Sequence, residues 1–223
     1  MYEFEKEIAE RHSVRSYLKK PIEPQTAAEM RAYIEEINSE SGLSIQLIEN
    51  DPETFTKNLL HYGWIKNAEN YFALIGKTAP DLEEAAGYWG EKCVLKAQAL
   101  GLNTCWIAGT YSKKHVKAEI KDGEELVCVI SVGYGENAGK ERKSKTEKEV
   151  TENAGGAPEW FSRGVKAALL APTAINQQKF TLSFLAPDKV RLTAQKGPFS
   201  LIDKGIVKLH FELAAGRDNF RWE

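Results

Sequence analysis

Apolar residues recur along this chain with two periods, one close to 3.6 and one close to 2, and the alternation between them predicts a mixed α+β protein. A first helix is expected over about Tyr2–Glu10, with Phe4 and Ile8 on one face. A second starts near Pro24, a residue that the first helical turn tolerates. Its apolar positions Met30, Tyr33, Ile34 and Ile37 keep helical spacing. Leu43–Ile48 alternates apolar with polar and reads as a strand, and Tyr71–Ile75 reads as a short buried one. Asp81 and Glu84 have the spacing of a capping box. The helix behind them carries Leu82, Ala86, Trp89, Cys93, Ala97 and Leu100 on one stripe, with Gly101 as its stop. Leu126–Val132 is the most continuous β-rich run and is the expected central strand. The polar stretch that begins Gly133-Tyr-Gly reads as a long loop. Beyond it, Phe161, Val165, Ala168 and Leu169 mark a helix that Pro172 ends. Phe180–Leu185 and Val190–Thr193 read as strands. A last helix has Ile202, Ile206, Leu209 and Leu213 in register and closes at Gly216.

The pattern repeats itself. Leu43–Asp51 lines up with Phe180–Asp188, each preceded by a helix and followed by one that ends at a glycine, Gly101 or Gly216. Counting back from those glycines pairs Gly90 with Gly205. A first copy over 1–150 and a partial second copy over 151–223, related by a pseudo-twofold axis, would produce this echo. So would chance similarity between amphipathic segments.

Composition changes the picture mainly by exclusion. The 223 residues carry a formal net charge of -2, so the basic excess of a nucleic-acid binder is missing. No stretch approaches the roughly 20 apolar residues that span a bilayer. The charged start, Met1-Tyr-Glu-Phe-Glu-Lys, lacks the apolar core of a signal peptide, and the expected compartment is the cytoplasm. Cys93, Cys105 and Cys128 form no close pair and sit among apolar residues, as buried reduced thiols do. The histidines His12, His61, His115 and His210 share no metal-ligand spacing, and no metal site is expected.

Four segments could carry chemistry. Arg11-His12-Ser13-Val14-Arg15 places two guanidiniums and a hydroxyl where they can grip a phosphate, although a solvated helix end would look the same. Ala171-Pro172-Thr173-Ala174-Ile175-Asn176-Gln177-Gln178 can offer amide donors and acceptors to a flat heterocycle, or form an ordinary polar turn. Arg142-Lys143-Ser144-Lys145 is a phosphate clamp or a solvated face. Gly101–Gly109 turns through small residues that let a backbone N–H approach a ligand. Gly133-Tyr-Gly-Glu-Asn-Ala-Gly139 follows a strand, but its spacing and the lysines behind it do not fit a dinucleotide fold.

Taken together, the R-x-S-x-R segment, the A-L-G-L-N-T-C-W-I-A-G helix end, the strand closing on G-Y-G, the basic loop and A-P-T-A-I-N-Q-Q resemble the nitroreductase-like FMN-binding family over essentially the whole chain. The resemblance implies a central, mostly antiparallel sheet flanked by helices. It implies FMN as cofactor and a ping-pong, two-electron transfer from NAD(P)H to a nitroaromatic, a quinone or a similar acceptor. No side chain then need act as acid or base. Arg11, Ser13 and Arg15 match the family's phosphate and ribityl grip, and His12 a position beside the ribityl chain or ring. Ala108 and Gly109 match the backbone that approaches flavin N5. Pro172, Thr173, Asn176 and Gln178 match the segment that lines the ring. Arg142, Lys143 and Lys145 match late phosphate contacts.

Two departures accompany the match. Lys179-Phe180 stands where the family has Pro-Trp, which leaves room for an alternative reading as a non-catalytic flavin-binding module. The N-x-Q motif lies in the C-terminal third, and Ser39 and Ser41 stand at its usual early place. The sequence therefore implies an intrachain pseudo-dimer with one FMN between its halves, with further homodimerisation open.

Overall fold

The computed structural model describes residues 3–57 and 64–223; Tyr2 and His61 lie outside them. Its helices are α1 (Glu5–Glu10), α2 (Pro24–Ser41), α3 (Glu53–Thr56), α4 (Leu82–Ala99), α5 (Glu159–Leu170) and α6 (Ser200–Ala215). Its strands are β1 (Gln46–Ile48), β2 (Tyr71–Lys77), β3 (Asn103–Ile107), β4 (Glu124–Gly133), β5 (Thr151–Glu152), β6 (Phe180–Leu185), β7 (Lys189–Ala194) and β8 (Arg221–Trp222). The chain forms two compact units. The first comprises Arg11–Leu82 and Lys92–Glu141, and the second Met1–Glu10, Glu83–Glu91 and Arg142–Glu223.

The first unit is built on an antiparallel sheet of order β1-β2-β4-β3. Six consecutive residues of β2, Tyr71–Gly76, are buried, as a strand covered on both faces requires. Val14, Tyr17, Phe55, Tyr71, Ile107 and Val129 belong to one core cluster beside it. Helix α2 buries Ala27, Met30, Ile34 and Ile37. It stops at Gly42, whose φ of 72° a residue with a Cβ adopts at a cost. The strand expected from Leu43 starts only at Gln46. The Ser44 N–H already donates to the Ile75 carbonyl of β2 at 2.8 Å, and the Asn38 carboxamide donates to the Ile45 carbonyl at 2.9 Å and accepts the Ile45 N–H at 2.8 Å. Strand β3 occupies a segment expected to turn through small residues; it pairs with β4 from Asn103 to Ile107.

The second unit holds a mixed sheet of order β5-β6-β7-β8, in which only the β6–β7 pair is antiparallel. Aromatic side chains fill its core: Phe161, Phe184, Phe211 and Phe220 meet edge to face, and Trp160 stacks on Phe220 at 5.6 Å. Each buried Phe of this kind contributes about 1.5–3 kcal/mol.

Residues Glu83–Glu91 of α4 cross α6 almost backbone to backbone. A Cβ on Gly205 would stand 2.0 Å from the Glu84 carbonyl oxygen, and one on Gly87 would stand 2.1 Å from that of Ile202. Gly87 and Gly205 both lie at this crossing. The expected capping box is not formed either, since Asp81 makes no side-chain cap bond. Glu84 is drawn instead to Lys204 and Lys208, at 2.7 and 3.1 Å. Two ammonium groups hold its carboxyl below the usual range against the opposing effect of burial. Deeper in the crossing lie His210 and Glu91, both fully buried and 2.9 Å apart.

Candidate functional site

In the first unit, Arg11–Arg15 runs extended alongside β3. The Val14 N–H donates to the Thr104 carbonyl at 3.0 Å, and Lys66 donates to Arg15 at 2.8 Å. Cys105 reveals what this brings together. Burial pushes its thiol up, and the charges of Arg15 and Arg11 and a hydrogen bond from Ser13 pull it back. Ser13 thus bonds the Cys105 thiol, and Arg11 and Arg15 lie near enough for their charges to act on it. Arg11 is buried, whereas Arg15 is exposed and lies 5.2 Å over the Trp64 ring. His12 faces the loop after β4. A Cβ on Gly139 would come within 2.5 Å of the His12 Cβ, so the glycines of that loop serve close approach. Ala108 and Gly109 follow the end of β3, and Thr110 beside them has a buried hydroxyl with no hydrogen-bond partner.

In the second unit, the turn 173–178 carries unusual backbone. Ile175, Asn176 and Gln178 have φ of 44°, 56° and 47°. Such a conformation costs on the order of 1–3 kcal/mol per residue and persists only where surroundings impose it. The surroundings are explicit. The Gln178 N–H donates to Thr173 Oγ1 at 3.0 Å. The Gln178 carboxamide accepts from the Lys145 N–H and donates to Ser144 Oγ and to the Leu169 carbonyl. The Asn176 Nδ2 donates to the Lys143 carbonyl at 2.7 Å, which leaves Asn176 Oδ1 buried without a partner. The Arg142 guanidinium donates to the Leu169 and Ala171 carbonyls, as a cation at a helix C-terminus does. The Lys145 ammonium donates to the Gln178 carbonyl at 2.8 Å. The structure thus joins the basic loop to the amide turn. It also shows that Gln178, Arg142 and Lys145 are committed to holding that turn. Phe180, at the Pro-Trp departure, is buried at the start of β6, and Lys179 is exposed.

Sequence reasoning missed Asp203. Both of its oxygens face the Ala174 N–H, at 2.9 and 3.0 Å, from the first turn of α6. Burial pushes its carboxyl up to about 6, against the opposing effect of that amide. A lone acidic residue behind the apolar Leu201 and Ile202 is the available signal. The sign of its effect follows from linkage. Its folded value lies above the unfolded one, so the native state takes up the proton first as pH falls through about 6. Acidification from pH 7 to pH 5 should therefore add about 1 kcal/mol of stability through this group. Urea unfolding of the wild type and of Asp203→Asn at the two pH values checks this. The wild type should gain on the variant at pH 5, and equal changes in both would contradict the assignment.

Among the described residues, no helix is long and apolar enough to cross a membrane. A family model described as "Putative TM nitroreductase" matches residues 3–215. Among solved structures, the chain is similar to a "putative nitroreductase" from Thermotoga maritima MSB8, with 21% identity and a TM-score of 0.67 over 98% of this chain and 85% of that one. It is also similar to a "Putative NADH dehydrogenase/NAD(P)H nitroreductase" from Bacteroides thetaiotaomicron VPI-5482, with 19% identity and a TM-score of 0.54 over 67% of this chain and 96% of that one. A third is an "FMN-dependent Nitroreductase" from Clostridium difficile R20291, with 17% identity and a TM-score of 0.50 over 68% and 96%. At these identities the likeness is one of fold. No curated protein matches the sequence.

Proposed function

The chain belongs to the family described as "Putative TM nitroreductase", and on that premise we propose that it is an FMN-binding oxidoreductase. The observation that carries this reading is the gathering of Arg11, Ser13 and Arg15 around Cys105. Two guanidiniums and a hydroxyl on one short extended segment suit a phosphate and the polyol behind it. The orphaned Oδ1 of Asn176 supports the ring side, because the pyrimidine edge of an isoalloxazine carries an N–H that can donate to it. FMN, when bound, supplies hydride chemistry between NAD(P)H and a two-electron acceptor such as a nitroaromatic or a quinone.

The residues have separate duties in this reading. Arg11 and Arg15 neutralise phosphate, and Ser13 and His12 bond the ribityl chain. The backbone at Ala108 and Gly109 approaches the ring, and Thr173 and Asn176 present polar atoms to it. Pro172 and Gln178 fix the shape of the turn. Of the basic loop, exposed Lys143 is the proposed phosphate ligand, since Arg142 and Lys145 already serve backbone carbonyls. The division into copies 1–150 and 151–223, with one FMN per chain, belongs to the same proposal. Light scattering across a dilution series, read alongside flavin absorbance, tests the stoichiometry. A monomer that keeps one FMN supports it, and flavin lost in step with dissociation of a dimer opposes it.

The buried Phe180 and exposed Lys179 favour a second reading, a flavin-binding module without turnover. Anaerobic addition of NADH or NADPH to the flavin-loaded protein separates the two. Bleaching of the visible band, reversed by a quinone, supports the oxidoreductase. A flavin that stays oxidised supports the module.

Arg15→Ala should weaken FMN binding about tenfold, the effect of losing one charge-assisted hydrogen bond near a surface. Lys140→Ala should change it less than about threefold, the scale of an exposed charge. Equal dissociation constants for the two variants in a fluorescence titration would count against the phosphate placement.

A further inference from the structure

We propose that Asp203 is a positioning residue for the flavin ring: by holding the Ala174 amide, it keeps the turn 173–178 in the shape that presents Thr173 and Asn176. The proposal rests on the FMN reading above and goes one residue beyond it. The geometry is local and specific. Ala174 begins the run that contains the positive-φ residues Ile175, Asn176 and Gln178. Its N–H is held by both carboxylate oxygens of Asp203, at 2.9 and 3.0 Å. The other end of the turn is held by Thr173, Ser144, Lys145 and Leu169 through Gln178. Asp203 and Gln178 therefore pin the strained segment at its two ends. Ile175, between the pins, is 86% exposed, so its own packing does not hold the shape.

The choice of a carboxylate is informative. A half-buried carboxyl without a cation is costly for folding, and an amide or hydroxyl would hold a backbone N–H at less cost. Among the described residues, no ion pair reaches Asp203. Lys204 and Lys208 of its own helix are turned to Glu84. On α5, Lys166 is turned to Glu147, and Arg163 to Glu159. Arg142 and Lys145 of the adjoining loop bond carbonyls. Burial raises the Asp203 carboxyl, the pattern of a group kept for a site rather than for stability.

The Ala174 amide opposes the effect of burial on the carboxyl, so the hydrogen bond that pins the turn favours the ionised Asp203.

The test titrates wild type, Asp203→Ala and Asp203→Asn with FMN and with riboflavin, which lacks the phosphate and isolates the ring side. Thermal unfolding of each apoprotein is measured in parallel. Asp203→Ala should lose about tenfold in affinity for both ligands, the effect of one charge-assisted hydrogen bond. Its melting temperature should be unchanged or higher. Asp203→Asn, which keeps an acceptor, should restore affinity to within about threefold. Wild-type affinity in Asp203→Ala, or an affinity loss matched by a fall in melting temperature, overturns the inference while leaving the FMN reading intact. A wild type that binds FMN but not riboflavin likewise overturns the ring-side role. Failure of the wild type to bind FMN overturns both.

Discussion

Replacing His210 with alanine should remove about 3–5 kcal/mol of unfolding free energy, the usual cost of breaking a buried charged pair. Both ring nitrogens face oxygen: Nδ1 lies 3.1 Å from the Ala167 carbonyl, and Nε2 lies 2.9 Å from Glu91 Oε1. Neither residue has any exposure to water. Truncation withdraws the imidazole from Glu91 and leaves a cavity where α5, α6 and residues 83–91 meet. A loss of this size is a large fraction of a typical domain's stability. Urea unfolding with an unchanged slope reads it directly. The double variant Glu91→Leu/His210→Met should recover most of the loss, since apolar residues of similar volume need no compensating charge. A single variant within about 1 kcal/mol of wild type would show that the pair is not a structural element.

The second large effect is expected at Gly205. Its Cβ position lies 2.0 Å from the Glu84 carbonyl oxygen and 2.6 Å from the Tyr88 nitrogen, both backbone atoms that cannot swing aside. Gly205→Ala should therefore cost toward the upper end of the roughly 1–3 kcal/mol typical of overpacking, despite alanine's better helix propensity. Gly197→Ala, whose Cβ would meet nothing within 4 Å, is the control. Thermal unfolding should separate the two variants by several degrees. Similar melting temperatures would mean that the helices separate at little cost.

The elements with a clean period were legible in the sequence. Helix α2 begins at Pro24, β2 begins at Tyr71, and α5 stops just before the predicted Pro172 boundary. The errors have physical causes. Asp81 and Glu84 have capping-box spacing, but Lys204 and Lys208 hold the glutamate, and no local pattern announces partners 120 or more residues away. Strand β3 is marked by Thr104, Trp106 and Ile107, yet the glycines on either side, Gly101 and Gly109, carry the signal of a turn. Strands β5 and β8 have two residues each, too few to show a period.

At the candidate site the fold adds hydrogen-bond partners that the sequence does not show. Arg11, Ser13 and Arg15 do come together, because an extended segment beside β3 gathers residues spaced by two. Gln178 matches the segment that lines the ring in the family the sequence resembles. The fold directs that amide to Lys145, Ser144 and Leu169. Asp203 was invisible because its partner is a backbone N–H, which no side-chain motif encodes.

The most direct test is a fluorescence titration of FMN with the purified, flavin-stripped protein. Quenching that saturates at one FMN per chain, abolished in the Arg11→Ala/Arg15→Ala double variant, is the predicted result. Flavin fluorescence that stays unquenched at protein concentrations well above the flavin's would contradict the claim that this chain binds FMN.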